Sequence, residues 1–345
     1  MPPRGGDDLT PPPRRDRARA SISAGAYFLA LLCAVPECDG WTAPGSRRGL
    51  RLRAPRLERP LTEKTPDPSR PGDPVKAAVL DRINADRARF GIAPVAWDEA
   101  AARIADAFCA RQVQERSRGH FLMDGLPPYA RTGFAGIFGL HSQNSVSWVT
   151  TASKFFETTI ALALSGQEQM MDEKPPADGH RVTILDPDAT HVGVGYSISD
   201  GRFQMSQEFL TRRMERVTLA ALETSPAAVL VSGRPAAGWR LRFVTIARED
   251  PPGPLTREQA SGRTSYSYPR ANLAYIPEGV RGMQVIGMTT EDKVRLLPGH
   301  EFVFPFAPDR PGLYTFEFYV EPGAGSRARP GGGATIWVVE GDVQS

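Results

Sequence analysis

The chain has few cysteines and no concentrated charge. Its 345 residues include three cysteines, and two of them, Cys33 and Cys38, fall in the first 40 residues. A disulfide framework is therefore not expected to support the fold. The formal net charge is +3, from 42 basic and 39 acidic residues spread along the chain. Because nucleic-acid-binding domains present a concentrated basic face, a nucleic-acid partner is not expected.

Familiar catalytic motifs are also missing from the sequence. There is no Gly-x-Ser-x-Gly elbow that would present a nucleophilic serine. There is no phosphate-binding glycine-rich loop either, since Gly193 and Gly195 fall in a predicted strand, where glycine permits close packing. Cys109 lies in a predicted helix and is interpreted as a small buried apolar residue rather than a nucleophile. The sequence therefore assigns no catalytic residue.

The N-terminal part of the chain has the pattern of an export signal. Four arginines between positions 14 and 19 precede an apolar run of about 12 residues within 22–35, which is too short for a comfortable membrane span. Residues 1–40 are predicted to be an export signal, or a signal anchor that reaches the membrane if it is not cleaved. Residues 41–73, rich in proline and arginine, are predicted to be a linker. We therefore expect an exported protein: extracellular, periplasmic or associated with the cell envelope.

Residues 74–215 are predicted to form an α+β domain. Two helices are expected first, with Asp73 and Asp98 as their caps. Residues 121–147 are expected to be loop, and a third helix is expected at about 151–164. Two strands with alternating apolar residues follow. This order predicts helices that flank a small antiparallel sheet.

Residues 216–345 have a different pattern, with short strands of period two between Pro/Gly turns. The strand candidates are Trp239–Val244, Phe302–Phe306, Leu313–Val320 and Ile336–Val339. This pattern predicts an all-β sandwich with immunoglobulin-like architecture. We expect it to serve adhesion, spacing or support.

Histidines are concentrated in one part of the chain. Four of the five, His120, His141, His180 and His191, lie within about 70 residues of one another. A neutral imidazole can bind a metal or carry a proton near pH 7, so this concentration predicts a site.

Several short motifs follow one another in residues 74–215, and together they resemble a known family. In order, they are Ile83–Arg89 with Gly91, Pro94–Asp98, His120, Gln143-Asn144, Gly179–Arg181, Thr190–Tyr196 and Phe203–Phe209. This series resembles the CAP superfamily, which groups cysteine-rich secretory proteins, antigen 5 and plant pathogenesis-related proteins and has many short bacterial members. The resemblance implies a three-layer α-β-α sandwich with a central cleft.

In that family the cleft of many members holds two histidines and two acidic residues. The resemblance places His120 and His180 at the histidine positions and Gln143 at the first acidic position. A glutamine amide cannot act as a base and is a weak metal ligand compared with a carboxylate. For the second acidic position, Glu168 is the first candidate, followed by Glu157 and Glu173.

The resulting candidate binding residues of the cleft are His120, Gln143, Asn144, Glu168, His180 and Arg181. His120 and His180 are the candidate ligands of a divalent metal such as zinc, with His141 as a candidate third nitrogen ligand. The alternative is that the histidines, Asn144 and Arg181 are hydrogen-bonded residues that brace the cleft wall.

Three functions are compatible with these residues. The first is a secreted, non-catalytic binding module for a small molecule, lipid, glycan or component of the cell envelope. The second is a metal-dependent hydrolase in which His120 and His180 bind the metal and Glu168 is the base. The third is a structural envelope protein with an inert cleft.

Overall fold

The structure is a computed structural model that describes residues 50–52, 70–149, 156–199, 201–222, 225–280, 282–323 and 325–340, without the side chains of 156–157 and 225–226. All of these residues lie in one compact unit. The predicted export signal lies outside the described residues, as does most of the predicted linker.

Six α-helices and thirteen strands lie in the described ranges. The helices are α1 (Pro74–Arg89), α2 (Glu99–Glu115), α3 (Pro128–Phe134), α4 (Phe156–Asp172), α5 (Gly179–Ile184) and α6 (Arg257–Gly262), with a 3-10 turn at Pro298–His300. The strands are β1 (Leu50–Leu52), β2 (Ala96–Trp97), β3 (Leu140–Val149), β4 (His191–Ser199), β5 (Arg202–Thr211), β6 (Met214–Leu222), β7 (Ser225–Pro235), β8 (Arg240–Glu249), β9 (Leu273–Pro277), β10 (Thr289–Leu296), β11 (Phe302–Phe306), β12 (Gly312–Glu321) and β13 (Arg329–Glu340).

The predicted starts of the first two helices are confirmed. The carboxylate of Asp73 accepts the backbone N–H of Val75 at 2.8 Å, and that of Asp98 accepts the N–H of Ala101 at 2.7 Å. Such side chains satisfy N–H groups that have no partner inside the helix. The loop predicted for residues 121–147 is wrong, because helix α3 and most of strand β3 lie there.

The first sheet has four strands in the order β2-β4-β5-β3, which leaves β3 at an edge. Helix α2 packs on one face of this sheet. Helices α1 and α4 cover the other face through a buried apolar cluster that includes Val79, Ala163, Val194 and Phe209. The sheet therefore lies between two helical layers, and the predicted α+β class is confirmed.

Two glycines of β4 allow α2 to approach the sheet. A Cβ atom at Gly193 would lie 2.2 Å from the backbone nitrogen of Ala102, and one at Gly195 would lie 2.2 Å from that of Asp106. Both distances are far shorter than van der Waals contact, so only glycine fits at these positions. The prediction that these glycines serve close packing is confirmed.

The second sheet has nine strands in the order β1-β13-β12-β8-β9-β10-β11-β7-β6. All pairs are antiparallel except β9 with β10. Strand β1 comes from the predicted linker and pairs with β13. Apolar residues of its two outer strands, including Leu50 of β1 and Val217 of β6, belong to one buried cluster. The immunoglobulin-like architecture stays a prediction, as do the domain boundaries.

The two sheets are joined through the residues just before β3. Phe138 belongs to the core of the second sheet, where its ring centroid lies 5.7 Å from that of Phe318. The N–H of Gly139 also donates to the carbonyl of Gly333 at 3.0 Å.

In the described part of the chain, no helix combines the length and the apolar character needed to cross a membrane.

Candidate functional site

His120 and His180 lie next to each other beside the edge strand β3. Their ring centroids are 6.2 Å apart, and the ring planes are inclined by 39°. His120 follows the end of α2 and is buried, with 6% of its surface exposed. His180 lies in the first turn of α5, and 30% of its side chain is exposed. The two rings, sixty positions apart in sequence, therefore lie side by side with His180 more exposed than His120, and the space beside them is called the cleft below.

The Nδ1 atom of each ring is held by a hydrogen bond. The amide nitrogen of Gln143 donates to Glu208, so the amide oxygen Oε1 is the end that faces His120. Since this oxygen can only accept, Nδ1 of His120 carries the proton and donates it to Oε1 at 2.9 Å. The Nδ1–H of His180 donates to Oε1 of Glu173 at 2.5 Å. The partner of Nδ1 decides which ring nitrogen carries the proton. In the neutral form of either ring, Nε2 therefore keeps its lone pair and can bind a ligand.

His120 is neutral at neutral pH. Burial is the largest cause, and it lowers the pKa of His120 from its ordinary 6.5 to about 4. The hydrogen bond to Gln143 and the charge of Glu208 raise this pKa, while the positive charges of His180 and Arg131 lower it. Because burial outweighs the hydrogen bond, the imidazole enters the cleft as a neutral nitrogen base.

Glu208, a residue not predicted from the sequence, carries the negative charge behind the cleft. It lies on β5 directly opposite Gln143 on β3, and only 1% of its surface is exposed. It accepts hydrogen bonds from Gln143 at 2.8 Å, Ser206 at 2.7 Å and His141 at 2.5 Å. Burial by itself would raise the pKa of Glu208, but the bonds from His141 and Gln143 and the charge of Arg131 lower it. Glu208 is therefore an ionised carboxylate.

Two tyrosines from the second half of the chain cover the open edge of β3. The hydroxyl of Tyr266 accepts the backbone N–H of Gln143 at 2.5 Å, and the hydroxyl of Tyr268 accepts that of His141 at 2.8 Å. The ring of Tyr266 also meets that of His120 edge to face, with centroids 5.0 Å apart. An uncovered strand edge invites pairing with another chain. Tyr266 therefore protects the edge and forms one wall of the cleft.

Arg131 fixes the loop that carries His120. Its guanidinium donates to the carbonyl of His120 at 3.0 Å and to that of Leu126 at 2.8 Å. It also lies 4.4 Å from the ring centroid of Phe108. These contacts tie the loop between α2 and α3 to both of these helices.

The other predicted site residues lie around this centre. Asn144 donates to the carbonyl of His180 at 3.1 Å, so it ties α5 to β3. Arg181 stacks over Phe90, with its guanidinium carbon 5.3 Å from the ring centroid. Glu168 lines a different pocket of about 270 Å³, which it shares with Arg181 and which neither cleft histidine lines.

The lower-ranked acidic candidates have separate outcomes. Glu173 is the carboxylate beside His180, and it also accepts the backbone N–H of His180 at 3.0 Å. The side chain of Glu157 lies outside the described part of the chain.

Nε2 of His141, the candidate third metal ligand, is bonded to Glu208. In the described residues, no group of three or more His, Cys, Asp or Glu side chains is arranged to hold a metal ion.

Comparison with known proteins supports the family resemblance over part of the chain. The profile of the cysteine-rich secretory protein family, CAP, matches residues 80–211. The chain thus contains a CAP domain, and the resemblance found in the sequence is confirmed. No match was found among curated proteins.

Among solved structures, the chain is similar to an extracellular SCP-domain protein from Bacillus anthracis, with 19% identity, TM-score 0.32 and 40% of each chain covered. An outer surface protein from Borrelia burgdorferi has 14% identity and TM-score 0.31, with 39% of this chain and 90% of that one covered. Venom allergen-like protein 4 from Schistosoma mansoni has 13% identity and TM-score 0.28, with 40% of this chain and 88% of that one covered. The match thus spans less than half of the Bacillus chain.

Proposed function

We propose that the chain is a secreted or envelope-associated, non-catalytic binding protein whose cleft holds its ligand between His120 and His180. The observation that supports this most directly is that both Nδ1 atoms form hydrogen bonds, His120 with Gln143 and His180 with Glu173, while the ring centroids lie 6.2 Å apart. Two nitrogen lone pairs in one cleft suit a small molecule with hydrogen-bond donors, or a metal ion. The location is supported by the export signal predicted for residues 1–40 and by the secretory description of the matched family.

A non-catalytic role is supported by the way the nearby carboxylates are used. Glu208 is buried behind Gln143 and already accepts three hydrogen bonds. Glu173 is bonded to His180. A general base must be able to reach the proton that it removes. Among the described residues of the cleft, the carboxylates therefore act on the histidines and on Gln143 rather than on a bound substrate.

A divalent metal fits this cleft as a weakly held ligand. Zinc lies about 2 Å from a ligating nitrogen, so the centroids of two imidazoles that share one tetrahedral ion lie about 5 Å apart. Starting from the observed 6.2 Å, the two rings would have to approach each other by about 1 Å. Catalytic zinc sites use three protein ligands and structural sites use four, whereas His120 and His180 supply two. A bound ion would attract an anionic or carbonyl oxygen of the ligand.

The test is zinc titration of the intact chain by isothermal calorimetry at pH 7. We expect one site, which is lost in His120→Gln and in His180→Gln. The matched control is His300→Asn, an exposed histidine at φ 63, because asparagine tolerates this backbone conformation. Equal zinc binding by all four proteins would contradict the metal-binding part of the proposal. Hydrolysis that depends on both cleft histidines would contradict the non-catalytic part.

A further inference from the structure

A row of buried polar side chains crosses the CAP domain and ends at the cleft. Nε2 of Gln167 donates to Oδ2 of Asp86 at 3.0 Å, and Nε2 of Gln207 donates to Oε1 of Gln167 at 2.7 Å. Nδ2 of Asn144 donates to Oε1 of Gln207 at 3.3 Å and to the carbonyl of His180 at 3.1 Å. The four residues that precede His180 in this row each expose at most 1% of their surface. The three amides, Gln167, Gln207 and Asn144, are called the amide chain below.

The carboxylate of Asp86 sets the direction of the amide chain. Its Oδ1 atom accepts from Arg82 at 3.2 Å and from Arg89 at 3.5 Å, which leaves Oδ2 to face Gln167. A carboxylate oxygen only accepts, so Gln167 must present its amide nitrogen here and its oxygen to the next amide. The same order continues to Asn144, whose Oδ1 atom has no hydrogen-bond partner in the described part of the chain. The orientation of Asn144 therefore depends on its two donor bonds.

Helix α5, which carries His180, needs support from outside. It has six residues, and helices this short do not persist without tertiary contacts. Glu173 accepts the backbone N–H of His180 at 3.0 Å, and Asn144 binds the carbonyl of the same residue. At the other end of α5, the carbonyl of Ile184 accepts from Arg87 of α1 at 2.7 Å. Helix α1 thus reaches both ends of α5, directly at one end and through the amide chain at the other.

We propose that Asp86 is a positioning residue for His180 and acts through the amide chain. In Asp86→Asn the two arginines favour the amide oxygen on their side, so the amide nitrogen of the new side chain faces Gln167. The three amides then have to reverse, and the oxygen of Asn144 meets the carbonyl oxygen of His180. Two acceptors without a proton between them cannot bond, and both lose a partner. The first turn of α5, and with it the His180 ring, loses its fixed position.

The first test is hydrogen exchange of the intact, zinc-free chain, measured by NMR. The backbone N–H of Val182, which donates to the carbonyl of Asp178 at 2.9 Å, reports on α5, and the amides of β4 report on the whole domain. Asp86→Asn is expected to speed exchange at Val182 about tenfold relative to β4, as the loss of a buried hydrogen bond predicts. A loss of overall stability alone does not speed exchange at Val182 more than exchange in β4.

The second test is zinc titration by calorimetry at pH 7, and it rests on the proposed function. A displaced His180 binds the ion less well, so Asp86→Asn is expected to weaken zinc binding about tenfold. If the parent protein binds no zinc, the metal-binding part of the proposed function fails, whereas the exchange ratio of Val182 to β4 still decides the role of Asp86.

Three further variants separate the direction of the amide chain from charge and packing. Gln167→Met interrupts the chain without changing the charge, so it should raise the exchange ratio, and it replaces Asp86→Asn if that variant does not fold. Asp86→Asn/Gln167→Glu moves the accepting carboxylate one place along, so the other two amides keep their direction and the ratio should return towards the parent value. The control is Asp98→Asn, which removes a buried carboxylate outside the amide chain that forms an ion pair at 2.8 Å, and it should not raise the ratio.

Three results would overturn the proposal. The first is exchange at Val182 that rises no more than exchange in β4, in Asp86→Asn or in Gln167→Met. The second is a double variant that keeps the ratio of Asp86→Asn, since the direction of the amides would then not matter. The third is an equal rise of the ratio in Asp98→Asn.

Discussion

Gln143 and Glu208 face each other across strands β3 and β5, and the amide nitrogen of Gln143 donates to the carboxylate of Glu208 at 2.8 Å. The CAP resemblance puts an acidic residue at position 143, whereas here the negative charge lies on the neighbouring strand. His120 therefore meets an amide oxygen instead of a carboxylate. Burial lowers the pKa of His120 to about 4, so the ring is neutral, and its Nε2 atom is available for a ligand.

Gln143→Glu is expected to destabilise the protein by about 3–5 kcal/mol at pH 7, since it places a second carboxylate against buried Glu208. Like charges raise the pKa of a carboxyl group in the folded state above its unfolded value. The cost is therefore present at high pH and decreases as the pH falls and one carboxyl takes a proton. Urea unfolding at pH 7 and pH 5 measures both effects.

The double variant Gln143→Glu/Glu208→Gln is the control for this prediction, because it exchanges the two side chains without adding a charge. It is expected to recover most of the stability lost in the single variant. A single variant as stable as the parent at both pH values would contradict the buried position of Glu208.

His120 is expected to make stability depend on pH. Its pKa is about 4 in the folded protein, against an ordinary 6.5, so the unfolded chain binds more protons between these values. The contribution of neutral His120 to the free energy of unfolding is fully present above pH 6.5. It decreases as the pH falls towards 4, by about 3 kcal/mol at most. In His120→Gln this contribution is absent. Urea unfolding across this range should therefore show a stability difference from the parent that changes with pH, and a constant difference would refute the prediction.

Tyr266 is expected to control the pKa of His120 through its ring. Tyr266→Ala exposes His120, so the pKa should rise from about 4 towards 6.5. Tyr266→Phe keeps the ring and should leave the pKa low, but it removes the acceptor of the Gln143 N–H and costs about 1–3 kcal/mol of stability. Proton NMR titration of the imidazole distinguishes the two variants. Equal pKa values for His120 in both would show that the ring does not form a cleft wall.

Gly193→Ala is expected to prevent normal packing of α2. Its Cβ would lie 2.2 Å from a backbone nitrogen, which cannot move without displacing the helix. We expect a loss of more than about 3 kcal/mol, or failure to fold. Gly179→Ala is the matched control, because no heavy atom lies within 4 Å of the Cβ that it adds. It should change stability by less than about 0.5 kcal/mol in urea unfolding. Equal stability of the two variants would contradict the close approach of α2.

The sequence predicted those parts of the fold that depend on local signals. The caps Asp73 and Asp98 marked α1 and α2, and alternating apolar residues marked β4 and β5. Strand β3 was missed because its polar residues, including Gln143 and Asn144, are buried by tertiary contacts and do not alternate with apolar ones. The short helix α3 was missed because Pro127-Pro128 and nearby glycines suggest a loop.

For the site, the motifs predicted that His120 and His180 share a cleft, but they did not identify its other charged and aromatic groups. Glu208 is recognisable only from the register of β3 with β5, which places it opposite Gln143. Tyr266 lies 123 positions beyond Gln143, in a half of the chain that the resemblance does not cover. Contacts at this separation depend on packing between the two sheets, for which a single sequence contains no local signal.

The most direct test of the central claim is a long-range ¹H–¹⁵N NMR spectrum of the histidine side chains at pH 7, before and after one equivalent of zinc. We predict that both rings carry a proton on Nδ1, and that zinc shifts the Nε2 resonances of both rings together. A proton on Nε2 of His120, or a response of one ring without the other, would contradict a shared cleft with two available nitrogen atoms.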